Sequence, residues 1–178
     1  MARRAKKSLP HVRISKSALI TACMRVLTLA KQYRPKDHHR EMGYDGLLFG
    51  YLDACFGKMK RQHQIHIGKS RRPKRIDYRQ GGTSPVLIEF AARTPNRNEI
   101  YGSQNRDEIQ KLTRQKSASA RYLLLLDMSG KSPIDRDQLR DTYREISSGK
   151  GNFKRMPVQV VYLHPNAEPC SFLWRPKA

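Results

Sequence analysis

Acidic residues are scarce in this sequence: 15 Asp+Glu stand against 36 Lys+Arg in 178 residues, a formal net charge of +21. A chain so unbalanced repels itself and attracts polyanions, which points toward polyphosphate as a partner. Cysteine is scarce too. Cys23, Cys55 and Cys170 are odd in number and match no zinc-ligand spacing, which excludes a disulfide framework and a zinc module. We read all three as reduced thiols of a cytosolic protein, with Cys23 and Cys55 packing as small hydrophobes on helices. There is no run of ~18 apolar residues to span a membrane, and the basic N-terminus lacks the apolar core and cleavage site of a signal peptide. Apolar residues make up 38% of the chain, below the ~45–50% of an average globular domain. The deficit sits in basic stretches, so the remainder still supports a core.

Other chemistries lack their parts. His38 and His39 are adjacent and point apart on a helix, while His63 and His66 have opposite strand parity, so the histidines form no metal site. No nucleophile elbow accompanies a Ser-His-Asp set. Gly149-Lys150-Gly151 lacks the Lys-Ser/Thr ending of a phosphate-binding loop.

What is present is a basic arm followed by one domain. Residues 1–16 carry Arg3, Arg4, Lys6, Lys7, Arg13 and Lys16 and no acid, which predicts a flexible arm. Residues 17–178 match the ~150 residues of a single domain. Leu19, Ile20, Cys23, Val26, Leu27 and Ala30 recur at helical spacing after Ser15 and Ser17, and Pro35 stops this helix near Tyr33. A second helix is expected over 37–61, with Tyr44, Leu47, Leu48, Tyr51, Leu52, Cys55 and Phe56 as its stripe. Gly43, Gly46, Gly50 and Gly57 lower its propensity and would allow a close neighbour.

The period then changes from helical to two. Strands are expected at 64–68, at 75–79 with Ile76 and Tyr78 on one face, and at 85–92 after the Gly81-Gly82 turn. After a polar loop over 94–104 comes a helix at 103–116, with Ile109 and Leu112 as core contacts. A buried strand follows at 121–127, then a helix capped at Ser132-Pro133 that turns Leu139, Tyr143 and Ile146 inward. Strands at 158–163 and 171–174 close the order α-α-β-β-β-α-β-α-β-β. That order predicts an α/β fold, a mixed sheet with helices packed on its faces.

Two acids stand out on the strands. Asp77 lies in Lys74-Arg75-Ile76-Asp77-Tyr78, and Glu89 in Val86-Leu87-Ile88-Glu89-Phe90-Ala91. An acid inside an apolar strand is costly without a cation. Two of them on strands joined by a tight turn can share one site, and paired carboxylates suit Mg²⁺, which takes oxygen ligands and phosphate oxygens. The competing reading is a pair of satisfied ion pairs with nearby arginines.

Asp77, Glu89-Phe90-Ala91, the segment Ile109-Gln110-Lys111-Leu112 and the strand at 122–127, in this element order, resemble the PD-(D/E)xK nuclease superfamily over roughly residues 42–163. The resemblance implies a restriction-endonuclease-like fold, with Asp77 and Glu89 in the metal-binding places and DNA as a more expected partner than RNA. The motif lysine, which orients or activates the attacking water, is replaced by Ala91. Arg93 lies on the same strand face but hardly deprotonates. Lys111, on the following helix, could reach back. A degenerate nuclease kept for binding, a migrated basic residue, or a lysine-to-alanine substitution introduced at position 91 all account for this. Glu41 and Asp45 would add a third carboxylate, or else only favour the start of their helix.

The basic residues supply the second signal. Between Gly57 and Arg79 lie nine Lys+Arg (Lys58, Lys60, Arg61, Lys69, Arg71, Arg72, Lys74, Arg75 and Arg79) and one acid, Asp77. Such density around a hairpin predicts a rail for a sugar-phosphate backbone, joined by Arg93. Lys150, Lys154 and Arg155 surround Gly149, Gly151 and Phe153, where the aromatic ring could stack on a base. The expectation is a nucleic-acid-binding protein, cytoplasmic or nucleoid-associated, with a nuclease-like core that has lost its lysine and works within a larger nucleoprotein assembly. The alternative is an active Mg²⁺-dependent endonuclease using Asp77, Glu89 and Lys111.

Overall fold

The structure, a computed structural model, describes residues 12–33, 41–65, 74–98, 100–146 and 156–176. The elements are α1 (Lys16–Tyr33), α2 (Glu41–Phe56), β1 (Met59–Ile65), β2 (Lys74–Gln80), β3 (Val86–Thr94), β4 (Arg97–Asn98), α3 (Arg106–Thr113), β5 (Ala120–Asp127), α4 (Arg136–Ile146), β6 (Val158–Leu163) and β7 (Cys170–Trp174). Six strands form one mixed sheet in the order β1-β2-β3-β5-β6-β7, and the short β4 pairs with β3. The meander β1-β2-β3 is antiparallel, β3, β5 and β6 run parallel, and β7 returns antiparallel. Among the described residues no helix is long and apolar enough to cross a membrane.

Each sheet face carries its own helical layer. Leu19, Ala22, Cys23, Val26, Leu27 and Ala30 of α1 and Tyr44, Leu48, Leu52 and Phe56 of α2 pack on Tyr78, Val86, Ile88, Phe90, Leu124 and Leu126. On the other face, Ile109 and Leu112 of α3 and Leu139, Tyr143 and Ile146 of α4 cover Leu87, Ala91, Leu123, Leu125, Val158 and Val160. Strand alternation divides the Leu123–Leu126 run equally between the two cores. Both helical crossovers from β3 to β5 and from β5 to β6 therefore lie on one side, which leaves the other to α1 and α2.

Local chemistry moves several boundaries from those expected. The second helix was expected to reach residue 61 but ends at Phe56. Gly57 has φ 65° and its amide donates to the Asp53 carbonyl at 2.8 Å, a left-handed glycine stop. The Asp53 Oδ1 then accepts from the Met59 amide at 3.0 Å, so β1 starts five residues before the expected strand at 64. The expected cap at Ser132-Pro133 is supplied instead by Asp135, whose Oδ1 accepts from the amides of Asp137 and Gln138 at 2.9 and 3.0 Å. Cys55, expected in the apolar stripe, is exposed, whereas Cys23 is buried. Gly46 and Gly50 face open space, with no atom within 4 Å of an added Cβ, so they do not serve a close helix contact. Gly102 does: its Cβ would meet the Thr142 carbonyl oxygen of α4.

Gln80 ties the N-terminal segment to this frame. Its buried amide donates to the carbonyls of Val12 and Phe56 at 2.8 and 3.1 Å, and its Oε1 accepts from the Ile14 amide at 3.1 Å. These bonds hold Val12 and Ile14 against the end of α2. The rest of the expected arm, residues 1–11, lies outside the described residues.

Candidate functional site

The site begins at the turn between β2 and β3. Gly81 has φ 87°, and the Arg79 guanidinium donates to the carbonyls of Gly81 and Gly82 at 2.7 and 2.6 Å. This clasp sets the register Gln80↔Val86, Arg79↔Leu87 and Tyr78↔Ile88. Asp77 and Glu89 are the next residues on each strand. There both of the ladders of β2 are interrupted. The β1–β2 register pairs Arg61 with Tyr78 and His63 with Ile76 but passes over Gln62 and Asp77, and Gln62 has φ 50°. The Asp77 Oδ2 accepts from the Phe90 amide at 2.9 Å in place of a ladder carbonyl.

The break also shifts the side-chain parity of β2. Ile76 and Tyr78, expected on one face, are both buried but belong to opposite cores. Alternation from Tyr78 turns Asp77 to the α3 side of the sheet, and the break brings Ile76 to that side as well.

Glu89 is fully buried on that side, between Leu87 and Ala91 on its own strand and paired with Leu123 of β5. Its carboxylate lies within hydrogen-bonding reach of that of Asp77. Lys111, on the inner face of α3, brings Nζ to 2.9 Å from Oε2, where it donates a hydrogen bond. Nζ also stands 2.9 Å from Oε1, in charge contact. Oε1 nonetheless receives no hydrogen bond, the one such fully buried side-chain atom among the described residues. A second Lys111 proton goes to the Arg75 carbonyl at 3.1 Å.

These contacts set the proton affinities. Burial and then the neighbouring Asp77 carboxylate push Glu89 well above the ordinary 4.5, against the pull of Lys111. For Lys111, burial acts downward, but Glu89 foremost, with Asp77 and Glu108, outweighs it and raises the ammonium above its ordinary 10.5. Lys111 is therefore a cation at neutral pH. Glu108, one turn earlier on α3, is raised mainly by its own burial. Its Oε1 is 3.8 Å from the Lys111 Nζ.

The expected residues thus divide. Asp77, Glu89 and Lys111 come together; Ala91 is buried beside them in the apolar core. Asp45 does not join them. It accepts from the Tyr78 hydroxyl and pairs with Arg61, next to the α1–α2 core. The backbone of Glu41 starts α2. Arg93, expected on the phosphate rail, has a buried side chain whose Nη1 is 2.9 Å from Asp127 Oδ2. Asp127 also accepts from the Tyr162 hydroxyl at 2.7 Å and the Ser129 hydroxyl at 2.7 Å, so Arg93 belongs to a buried polar network at the ends of the parallel strands.

Of the other basic residues, Lys58, Lys60, Arg61 and Arg75 are exposed along β1 and β2, at one end of the sheet. Arg75 also donates to the Gln62 side chain at 3.0 Å, Lys74 pairs with Asp107 at 3.2 Å, and Arg79 holds the turn. Lys69, Arg71, Arg72, Lys150, Lys154 and Arg155 lie outside the described residues. Sequence reasoning missed Glu108, although its i,i+3 spacing from Lys111 on a helix is the signal that finds it.

Among the described residues no group of three or more His, Cys, Asp or Glu side chains is arranged to hold a metal ion. The Asp77–Glu89 pair still fits a hard divalent cation through its oxygen donors and the orphaned Oε1 of Glu89. Compared with family models, with curated proteins and with solved structures, the chain shows no significant match.

Proposed function

We propose that this chain is a nucleic-acid-binding, Mg²⁺-dependent phosphodiesterase with a restriction-endonuclease-like core, in which the lysine of the PD-(D/E)xK pattern is delivered from α3. The observation that carries this reading is the Lys111 ammonium seated on the buried Glu89 beside Asp77. A strand lysine at position 91 and a helix lysine at 111 are two ways to bring one ammonium to the same carboxylate. Asp77 and Glu89 would hold Mg²⁺, and the bound ion would supply positive charge to a phosphate oxygen. Lys111 would orient a water and offset charge that develops on the reacting phosphate. Lys58, Lys60, Arg61 and Arg75 would hold flanking phosphates, and the net charge of +21 favours a polyanion of any sequence. DNA is favoured over RNA by the resemblance. Ala91 supports a second reading, a binding module that no longer cuts.

Two measurements test this. Fluorescence anisotropy with duplex and single-stranded oligonucleotides should show affinity that falls steeply between low and moderate salt, with Lys58, Lys60 and Arg61 to Ala together reducing the slope by ~0.9 per lost phosphate contact on a duplex. Cleavage of plasmid and single-stranded DNA should require Mg²⁺ or Mn²⁺ and vanish in Glu89→Ala. Binding that is flat in salt overturns the nucleic-acid reading. Salt-dependent binding with no cleavage leaves the binding module.

A further inference from the structure

The Lys111 ammonium carries three protons. Glu89 Oε2 takes one and the Arg75 carbonyl another, at 2.9 and 3.1 Å. Outside Glu89, a second carboxylate faces the ammonium: Glu108 Oε1 is 3.8 Å from Nζ, too long for a hydrogen bond. A shift of about 1 Å would bring that oxygen into range. Asp107 does not compete for the same proton, because it faces Lys74 at 3.2 Å. The Glu108 side chain is 27% exposed while that of Glu89 is fully buried, so the two acids form an inner and an outer seat for one ammonium.

The inner seat is also half of the carboxylate pair that would take a divalent ion. A lysine Nζ at 2.9 Å from both oxygens of Glu89 stands in the place of a cation. It compensates the buried charge, and it repels a second cation at the same oxygens. An ion that binds Glu89 must therefore displace the ammonium, and the ease of displacement depends on where the ammonium can go.

We propose that Lys111 is the resident counter-ion of the Asp77–Glu89 pair, and that a divalent cation enters by exchange as Lys111 moves from Glu89 to Glu108. This rests on the metal-site reading above. Glu108 is then a positioning residue: it touches neither ion nor substrate and acts through Lys111. The exchange keeps the site's charge compensated in both states, and it leaves the ammonium beside the bound ion rather than in solvent.

The test is Mn²⁺ affinity of the full chain without nucleic acid, measured by calorimetry and by electron paramagnetic resonance of the free ion. Lys111→Met should bind Mn²⁺ about tenfold more tightly or better, because the competing cation is gone. Glu108→Gln should bind it about three- to tenfold more weakly, because the displaced ammonium loses its outer seat. In Lys111→Met, the added Glu108→Gln change should leave affinity within about twofold, since Glu108 then has nothing to receive. Should Lys111→Met fail to fold, Lys111→Gln keeps a donor for Glu89 and removes the charge.

Equal Mn²⁺ affinity in the unmodified chain and in Lys111→Met overturns the exchange and leaves the metal site standing. Weaker binding on Glu108→Gln in both backgrounds also overturns it, because Glu108 is then a direct ligand. No Mn²⁺ binding by any variant sinks the metal site and the exchange together.

Discussion

Lys111 on α3 and Ala91 on β3 flank the same carboxylate: Glu89 is two residues from Ala91 along the strand and 2.9 Å from the Lys111 Nζ. Ala91 itself is 3% exposed in the core formed with Leu87, Leu123 and Leu125. A lysine introduced at 91 would meet an occupied carboxylate and a like charge. Ala91→Lys alone should not raise Mg²⁺-dependent cleavage. Lys111→Ala should lower it by roughly 10²–10⁴-fold, and Ala91→Lys should restore part of the loss only in that background. Cleavage rates of the four proteins on one plasmid substrate check this. A rise in the single Ala91→Lys variant would show that Lys111 does not serve as the ammonium of the site.

Much of the frame is legible in the chain. The Leu123-Leu124-Leu125-Leu126 run and residues 158–163 read as buried strands because they have no polar face, and they pair in parallel as β5 and β6. The end of the second helix and the start of β1 are hard to read in the chain because the residues that follow Gly57 are mostly polar. An edge strand with the burial pattern of β1, apolar only at Met59 and Ile65, carries almost no period-two signal. The glycine at position 57, with its positive φ, marks the boundary. At the site, spacing indicates Asp77 and Glu89, and Lys111 follows from the next helix. The parity change at Asp77 is invisible in the sequence, because it arises where both ladders break. The fate of Arg93 is likewise tertiary: its partner Asp127 lies 34 positions away.

The glycines separate by what surrounds them. At Gly102 an added Cβ would lie 2.0 Å from the Thr142 carbonyl oxygen and 2.9 Å from the Tyr143 Cα, both backbone atoms of α4 that cannot swing away. The Gly102 amide also donates to the Thr142 Oγ1 at 3.0 Å, so any retreat loses that bond. Gly102→Ala should cost about 3 kcal/mol or more, a fall in Tm of roughly 6–12 °C for a chain of this size. Gly46→Ala and Gly50→Ala, inside α2 with open space around them, should instead gain about 0.4–1 kcal/mol each. Thermal unfolding of the three variants decides it, and a neutral Gly102→Ala would show that the loop over 100–105 does not press on α4.

Glu89 gives stability a pH dependence of definite sign. Burial and Asp77 hold its folded pKa well above the 4.5 of an ordinary glutamate. The unfolded chain releases this proton near 4.5, while the folded chain retains it. Folding therefore takes up a proton across the window between the two values. Stability contributed by this group is present below the unfolded value and is lost as pH rises toward the folded one. Lys111, raised above 10.5, keeps its charge throughout that window and adds no slope. The difference in Tm between the unmodified chain and Glu89→Gln should accordingly shrink, then reverse or level off, as pH rises from 4.5 toward neutrality. Saturating Mn²⁺ should flatten the trend, because a bound cation favours the ionised carboxylate. Thermal scans of both proteins at matched ionic strength, with and without Mn²⁺, carry the comparison. A difference that stays constant over the whole range without metal would mean that Glu89 ionises as freely in the folded chain as in the unfolded one, and that the buried pair does not hold a proton.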